Sequence, residues 1–202
     1  MDVQGVLFIV CGPSGVGKTS LSAELLEQYD SLGFSVSYTT RQARQGEVDG
    51  EDYHFVSEST FRAMIEAGEF AEWAEVHGNL YGTAFQVIRQ AWEAGRDLLF
   101  DIDYQGARQL KESFPDGTGV LVVPPDMQTL ERRLRGRGSE SEASFERRID
   151  NARQELAQYE LFDYIVENDD FDRAVDVLSS VYLAARHRRP LSDPMVRSLL
   201  DS

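Results

Sequence analysis

Gly12-Pro13-Ser14-Gly15-Val16-Gly17-Lys18-Thr19 fills every fixed position of the pattern G-x-x-x-x-G-K-[ST]. The pattern demands a setting: a buried strand must deliver the loop and a helix must leave it. Val6-Leu7-Phe8-Ile9-Val10 is a continuous apolar run, as expected of a parallel strand covered on both faces. Lys18 to Tyr29 reads as a helix with Leu21, Leu25 and Leu26 on its inner stripe. Between the two, the glycines let backbone N–H groups turn toward an anion with no Cβ in the way. The helix start adds unpaired N–H groups and partial positive charge. Lys18 is then placed to reach the β and γ phosphates of a nucleoside triphosphate, and Thr19 to ligate Mg²⁺. Lysine usage sharpens the assignment. The chain has two lysines, Lys18 and Lys111, against eighteen arginines, so a lysine stands where a compact point charge suits a phosphate.

The rest of the chain alternates strand and helix. Ala84–Ala94, Tyr104–Ser113, a helix from Pro124-Pro125-Asp126 to about Arg135, and Phe171–Ala185 read as helices. Asp97–Asp101, Val120–Val123 and Tyr164–Val166 read as strands, and Ser144 reads as the cap of the longest helix, to about Tyr159. This rhythm predicts an α/β fold with a parallel sheet flanked by helices. From about Gly33 to Thr83 the rhythm breaks: Gly33–Thr40, Asp52–Val56 and Phe70–Val76 look like strands, with a short helix at Ser59–Ala67 and a turn at Gly78-Asn79. An inserted, mainly antiparallel lobe is expected there. The tail after Arg189 carries two prolines and is read as a loose helix or disordered.

Composition removes several functional classes. A formal net charge of −15 opposes binding to nucleic acid or to an anionic membrane. No apolar run approaches the ~20 residues that span a bilayer, and Met1-Asp2-Val3-Gln4 lacks a basic leader, so a cytoplasmic location is expected. Cys11 is the single cysteine, which excludes an intrachain disulfide, and His54, His77 and His187 are scattered, which speaks against structural zinc. Cys11 ends an apolar run and reads as a small buried residue rather than a nucleophile. Seven of the eighteen arginines fall between Arg132 and Arg153, either a polyanion site or a helix laced with Arg–Glu pairs.

Asp101 closes the apolar strand from Asp97, at the end where open α/β sheets hold ligands, and is a candidate to hold Mg²⁺ directly or through water. Asp103 follows two residues later and is expected to face the same crevice.

Several separated segments then carry a resemblance. They are Gly12 to Thr19; Ser35-Val36-Ser37-Tyr38-Thr39-Thr40-Arg41 with Arg44, Gly46-Glu47 and Tyr53; Gly68-Glu69-Phe70-Ala71-Glu72; Tyr81-Gly82-Thr83; Asp101-Ile102-Asp103 with Gln105-Gly106; Arg135-Gly136-Arg137-Gly138; and Asn168-Asp169-Asp170. In this order they make the chain similar to guanylate kinases from about Gly5 to Ala185. The resemblance implies a phosphate-loop kinase core at 1–33 and 84–202, a GMP-binding lobe at 34–83 and a mobile lid at about 136–147. It implies transfer of the γ-phosphoryl group of Mg-ATP to GMP, in purine nucleotide metabolism and GMP recycling, with ATP, GMP and Mg²⁺ as the only obligatory partners.

The implied roles agree with the chemistry of guanine. Glu72 can accept from N1–H and the N2 amine together, Ser37 can donate to O6, and Asp103 can accept at the guanine edge. Adenine would leave the carboxylate unpaired. Arg41, Arg44, Tyr53 and Tyr81 would grip the GMP phosphate, with Thr83 beside them. Arg137 and Arg148 would close over ATP and Asn168 would lie near adenine. Lys18, Arg41, Arg137, Arg148 and Asp101 form the implied catalytic set. No general base is required, because the attacking phosphate oxygen is already ionised. Leu80 stands where the family often has an aromatic residue, and Cys11 is a small-residue variant before the loop. Two other readings keep part of the pattern: a sugar-phosphate kinase of the ribose 1,5-bisphosphate type, which needs no guanine contacts, and a non-catalytic protein-binding module of the same fold.

Overall fold

The run Leu7–Cys11 forms strand β1, and all five of its residues are buried. A strand with no exposed face needs neighbours on both edges and helices on both sides, and β1 has them. In the computed structural model, which describes residues 5–76, 78–136 and 142–200, β1 lies at the centre of a five-stranded sheet. The other strands of that sheet are β2 (Leu32–Phe34), β7 (Asp97–Asp101), β8 (Thr118–Val123) and β9 (Tyr164–Glu167), in the order β2-β7-β1-β8-β9. Every pairing in it is parallel, as the strand–helix alternation predicts.

Helices α1 (Lys18–Gln28), α5 (Met127–Arg135), α6 (Glu142–Leu156) and α7 (Phe171–Arg186) share one core with Phe8, Val10 and Leu99, while α3 (Phe85–Glu93) and α4 (Tyr104–Ser113) pack on Leu7, Ile9 and Phe100. Alternate residues of β1 therefore serve opposite cores. Each fully buried Phe, Leu or Ile there contributes roughly 1.5–3 kcal/mol of burial.

A second sheet holds β3 (Tyr38–Thr39), β4 (His54–Phe55), β5 (Phe70–Val76) and β6 (Asn79–Ala84) in the order β4-β3-β6-β5. Two of its pairings are antiparallel and β3–β4 is parallel. Helix α2 (Glu58–Glu66) covers it through Phe61, which stacks on Phe70 at 4.4 Å. Leu80 is buried in this small core, so an aliphatic side chain fills the position there.

Three sequence expectations change. The stretch 33–40 is two strands in different sheets: Ser35 N still donates to Leu99 O in the first, while Ser37 O already accepts from His54 N in the second. β6 begins where only a turn at Gly78-Asn79 was expected, because Gly82 interrupts its apolar alternation. α6 starts at Glu142, two residues before Ser144, and α7, with 16 residues, is longer than α6, with 15. Of the two readings of the tail, helix is the one found: α8 spans Arg189–Leu200, with Pro190 in its first turn, where the missing N–H costs no helical bond.

A polar anchor ties three elements under the sheet. Asp97, 6% exposed, accepts from Val6 N (2.8 Å), Tyr182 Oη (2.7 Å) and Arg186 Nη1 (2.7 Å). Asp97→Ala removes the acceptor of all three donors: Val6 N loses its side-chain partner, while Tyr182 and Arg186 keep contacts with each other and with Ser31. Arg186 keeps over a third of its side-chain surface, so water recovers part of that loss. The expected destabilisation is about 2–4 kcal/mol in urea denaturation, with the active cleft untouched at the opposite end of the strands.

Candidate active site

The phosphate loop follows from the end of β1. Val10 lies beside Asp101 and Cys11 beside Leu121 in the parallel register, so the loop and Asp101 emerge at the same edge. Gly17 is the N-cap of α1 with φ 98°, a conformation L side chains avoid, and a Cβ there would meet Asn168 Nδ2 at 2.5 Å. Side chains cap α2 (Ser57), α4 (Asp103), α5 (Asp126) and α7 (Asp170), whereas α1 has no side-chain cap. Its first-turn N–H groups are thus left for an anion. Gly12, Pro13 and Val16 are buried in the loop, Ser14 and Thr19 are exposed, and Gly15 lies between.

Lys18 Nζ donates to Gly12 O at 2.5 Å and lies 3.8 Å from Asp101 Oδ1. Burial raises the Asp101 carboxyl above its usual range, against the opposing pull of Lys18. Asn168 is 5% exposed and its Nδ2 donates to Val16 O at 2.7 Å, so its side chain props the loop from beneath. Arg148 Nη2 donates to Ser14 Oγ at 2.9 Å from helix α6. Arg137 lies outside the described residues. The arginine-rich stretch also contains Arg–acid pairs: Arg135 bonds Glu142 (2.9 Å), and Arg153 lies 3.5 Å from Asp150. Cys11 is buried and its thiol is pushed up to about 12 by that burial, which leaves it inert as a nucleophile.

One cleft joins this loop to the inserted sheet. Gly12, Lys18, Ser37, Tyr53, Glu72, Tyr81, Asp101, Asp103 and Glu155 all line it. Glu72 sits on β5 and is 4% exposed. Its partner across the strands is Thr83, whose polar groups favour the charge; burial nevertheless pushes the Glu72 carboxyl up to about 7. Glu72 Oε1 is buried with no hydrogen-bond partner among the described residues. Its other oxygen faces Gly106 so closely that a Cβ there would stand 2.6 Å away. Thr83 also meets Ser37 Oγ (3.2 Å) and Ser35 Oγ (3.5 Å), which sets the Ser37 hydroxyl beside the Glu72 carboxylate. Asp103 accepts from Gln105 N (3.0 Å) and Gly106 N (2.9 Å), so its carboxylate is fixed at the cleft wall by capping α4.

The phosphate-gripping group is brought together around Arg41. Its guanidinium makes a two-pronged pair with Glu47 (2.9 and 2.8 Å) and lies 5.3 Å from the Tyr53 ring centroid. Tyr53 and Tyr81 meet edge to face at 5.9 Å, and burial raises the Tyr53 hydroxyl. Arg44 is exposed, with its backbone N donating to Glu47 Oε2 at 2.7 Å.

Glu47, which pairs with Arg41, and Glu155, which lines the cleft, are charged residues with no role assigned from the sequence. Glu47 lies inside a quoted motif, and its spacing from Arg41 is the signal that could have found it. Glu155 had none, since an acid on an arginine-rich helix reads as a surface partner.

A parallel sheet with a glycine-rich loop leaving its central strand, and a carboxylate closing the neighbouring strand, places the chain in the class of phosphate-loop α/β proteins that handle nucleotides. Comparison with known proteins narrows the class. The guanylate kinase family model matches residues 4–185. A guanylate kinase of Geobacter metallireducens is 50% identical over 188 residues, covering 93% of each chain. Another from Chromobacterium violaceum is 50% identical over 198 residues, covering 98% of this chain and 92% of its own. The crystal structure of guanylate kinase from Anaplasma phagocytophilum superposes with a TM-score of 0.74 at 31% identity, covering 94% of this chain and 90% of its own. The chain belongs to the guanylate kinase family.

Proposed function

We propose that the protein transfers the γ-phosphoryl group of ATP to a phosphate oxygen of GMP, giving ADP and GDP. The observation that carries the reading is Glu72, a buried carboxylate that lines the cleft holding the phosphate loop and has one oxygen without a partner among the described residues. A buried acceptor left unmade costs about 1–3 kcal/mol. Guanine supplies the missing donors through N1–H and the N2 amine, with O6 toward Ser37 and the edge toward Asp103. A sugar phosphate has no such planar pair of donors.

Arg41, Arg44, Tyr53 and Tyr81 hold the GMP phosphate, with Thr83 bracing Ser37 and Glu72. On the donor side Gly12 to Thr19 wrap the ATP phosphates, Asn168 keeps the loop rigid, and Arg137 and Arg148 close over the nucleotide. Thr19 and Asp101 would hold Mg²⁺, one hydroxyl and one desolvated carboxylate leaving room for water and phosphate oxygens, which suits this ion. When bound, it neutralises charge on the β and γ phosphates. The GMP oxygen attacks the γ phosphorus in line, that bond forms as the bond to the β-bridging oxygen breaks, and the electron pair leaves on ADP. Lys18 and the arginines stabilise the charge spread over the transferred group, and closure excludes competing water.

Among the described residues no helix is long and apolar enough to cross a membrane. That and the net charge of −15 support small-molecule partners only and a cytoplasmic setting.

ADP release with Mg-ATP and each of GMP, AMP, CMP and UMP tests the reading. GMP is expected to exceed each of the others in kcat/KM by at least about 100-fold. Equal turnover of AMP, or none of any monophosphate, overturns it.

A further inference from the structure

A third carboxylate faces the transfer site and no role above uses it. Glu155 lies near the C-terminal end of α6 and lines the cleft with Lys18, Asp101 and Asp103. Its Oε2 is buried and has no hydrogen-bond partner among the described residues. Burial pushes the carboxyl up to about 7; Lys18 favours its charge, while Asp103 and Asp101 oppose it. An acid placed where two phosphates must meet is unfavourable unless a cation comes to it.

The cation is at hand. Lys18 is turned back onto Gly12 O, a contact it must leave to reach a γ phosphate. α6 also carries Arg148, bonded to Ser14 in the middle of the phosphate loop. Positions 148 and 155 are seven apart, about two helical turns, so both side chains leave the same face of α6. Ala152, between them on that face, is 2% exposed. One rigid helix therefore delivers Arg148 to the loop and a negative charge to the lysine together.

We propose that Glu155 is a positioning residue for phosphoryl transfer: from its place in the cleft it offers the Lys18 ammonium a second carboxylate beside Asp101, so that Lys18 is steadied when it leaves Gly12 O for the incoming γ phosphate. Asp101 stands on the sheet and is the carboxylate assigned to Mg²⁺, whereas Glu155 reaches the cleft from α6 and has no other assigned partner among the described residues. The inference rests on the reaction proposed above.

Steady-state ADP formation with Mg-ATP and GMP at pH 8, for wild type, E155Q and E155D, tests it together with the melting temperature of each. E155Q is expected to lower kcat about tenfold or more, keep KM for GMP within about twofold, and leave Tm unchanged or raised. E155D, which keeps the charge on a shorter arm, is expected to recover part of kcat. A kcat for E155Q within about twofold of wild type overturns the proposal. So does a loss that follows Tm downward and is not relieved by E155D, which marks a packing role. An inactive wild type removes the GMP kinase reading and this inference with it, whereas an active wild type with an unaffected E155Q removes the inference alone.

Discussion

Lys18→Met is expected to lower kcat about 10³-fold with the fold intact. The side chain's described partners are Gly12 O at 2.5 Å and Asp101 at 3.8 Å, and neither belongs to the hydrophobic cores, so circular dichroism and Tm change little. What disappears is a point charge beside the group in transit, in a site where preorganised charge is worth far more than in water. Single donors of this kind are worth about 10²–10³ in kcat, and cations on a transferring phosphoryl group more. Lys18→Arg is not expected to rescue. The ammonium sits at a crowded junction of Gly12 and Asp101, where a planar fork does not fit and where Arg spreads the charge that Lys concentrates. Retained activity above about a tenth of wild type in Lys18→Met, measured by coupled ADP release, would sink the role assigned to the loop.

Legibility of the sequence followed the range of the interaction. The loop, β7 and α4 were readable because their signals are local: a glycine pattern, an apolar run, and Asp103 capping the helix it precedes. β5 was readable as a strand, Phe70 to Val76, and alternation sets Glu72 and Glu75 on opposite faces, but nothing local said that the Glu72 face is the buried one. That face is covered by the close approach of Gly106 on α4, a contact of long sequence range. The split of 33–40 into two strands was hidden for a similar reason, since periodicity marks a strand but not which sheet it joins. Glu155 was the hardest. Its neighbours on α6 include pairs such as Arg153 with Asp150, and only the tertiary placement of the helix turns this acid toward Lys18 and away from solvent. The family resemblance supplied the roles of Ser37, Glu72 and Asp103; the geometry adds how Thr83 and Gly106 set them.

Glu72→Gln is expected to lower kcat/KM for GMP about 10³-fold and at the same time to stabilise the free protein. The amide keeps the size of the side chain but offers one acceptor where guanine brings donors at both N1 and N2, and it turns its own N–H₂ toward one of them. Two lost hydrogen bonds to a charged acceptor account for a factor of this size. Stability moves the other way. The folded carboxyl titrates at about 7, above the ordinary carboxylate value of 4.5, because burial disfavours its charge. A group whose folded value is raised in this way holds its proton more tightly folded than unfolded. It therefore lowers stability as pH climbs from the unfolded value through 7, and the penalty is complete at pH 8. Glutamine removes that penalty, on the order of 3 kcal/mol at pH 8 and about 1 kcal/mol at pH 5, so the Tm advantage of the variant should grow with pH. The same titration governs binding. Guanine needs the carboxylate, which is about one-tenth populated at pH 6, so GMP affinity should fall roughly tenfold between pH 8 and pH 6 from this group alone. The GMP phosphate, with its own titration near pH 6, contributes equally to wild type and variant and cancels in their ratio. Calorimetric affinities of both proteins across this range are the measurement. A wild-type to Glu72→Gln ratio that does not change with pH would show that the orphaned oxygen of Glu72 is not the group that reads the base.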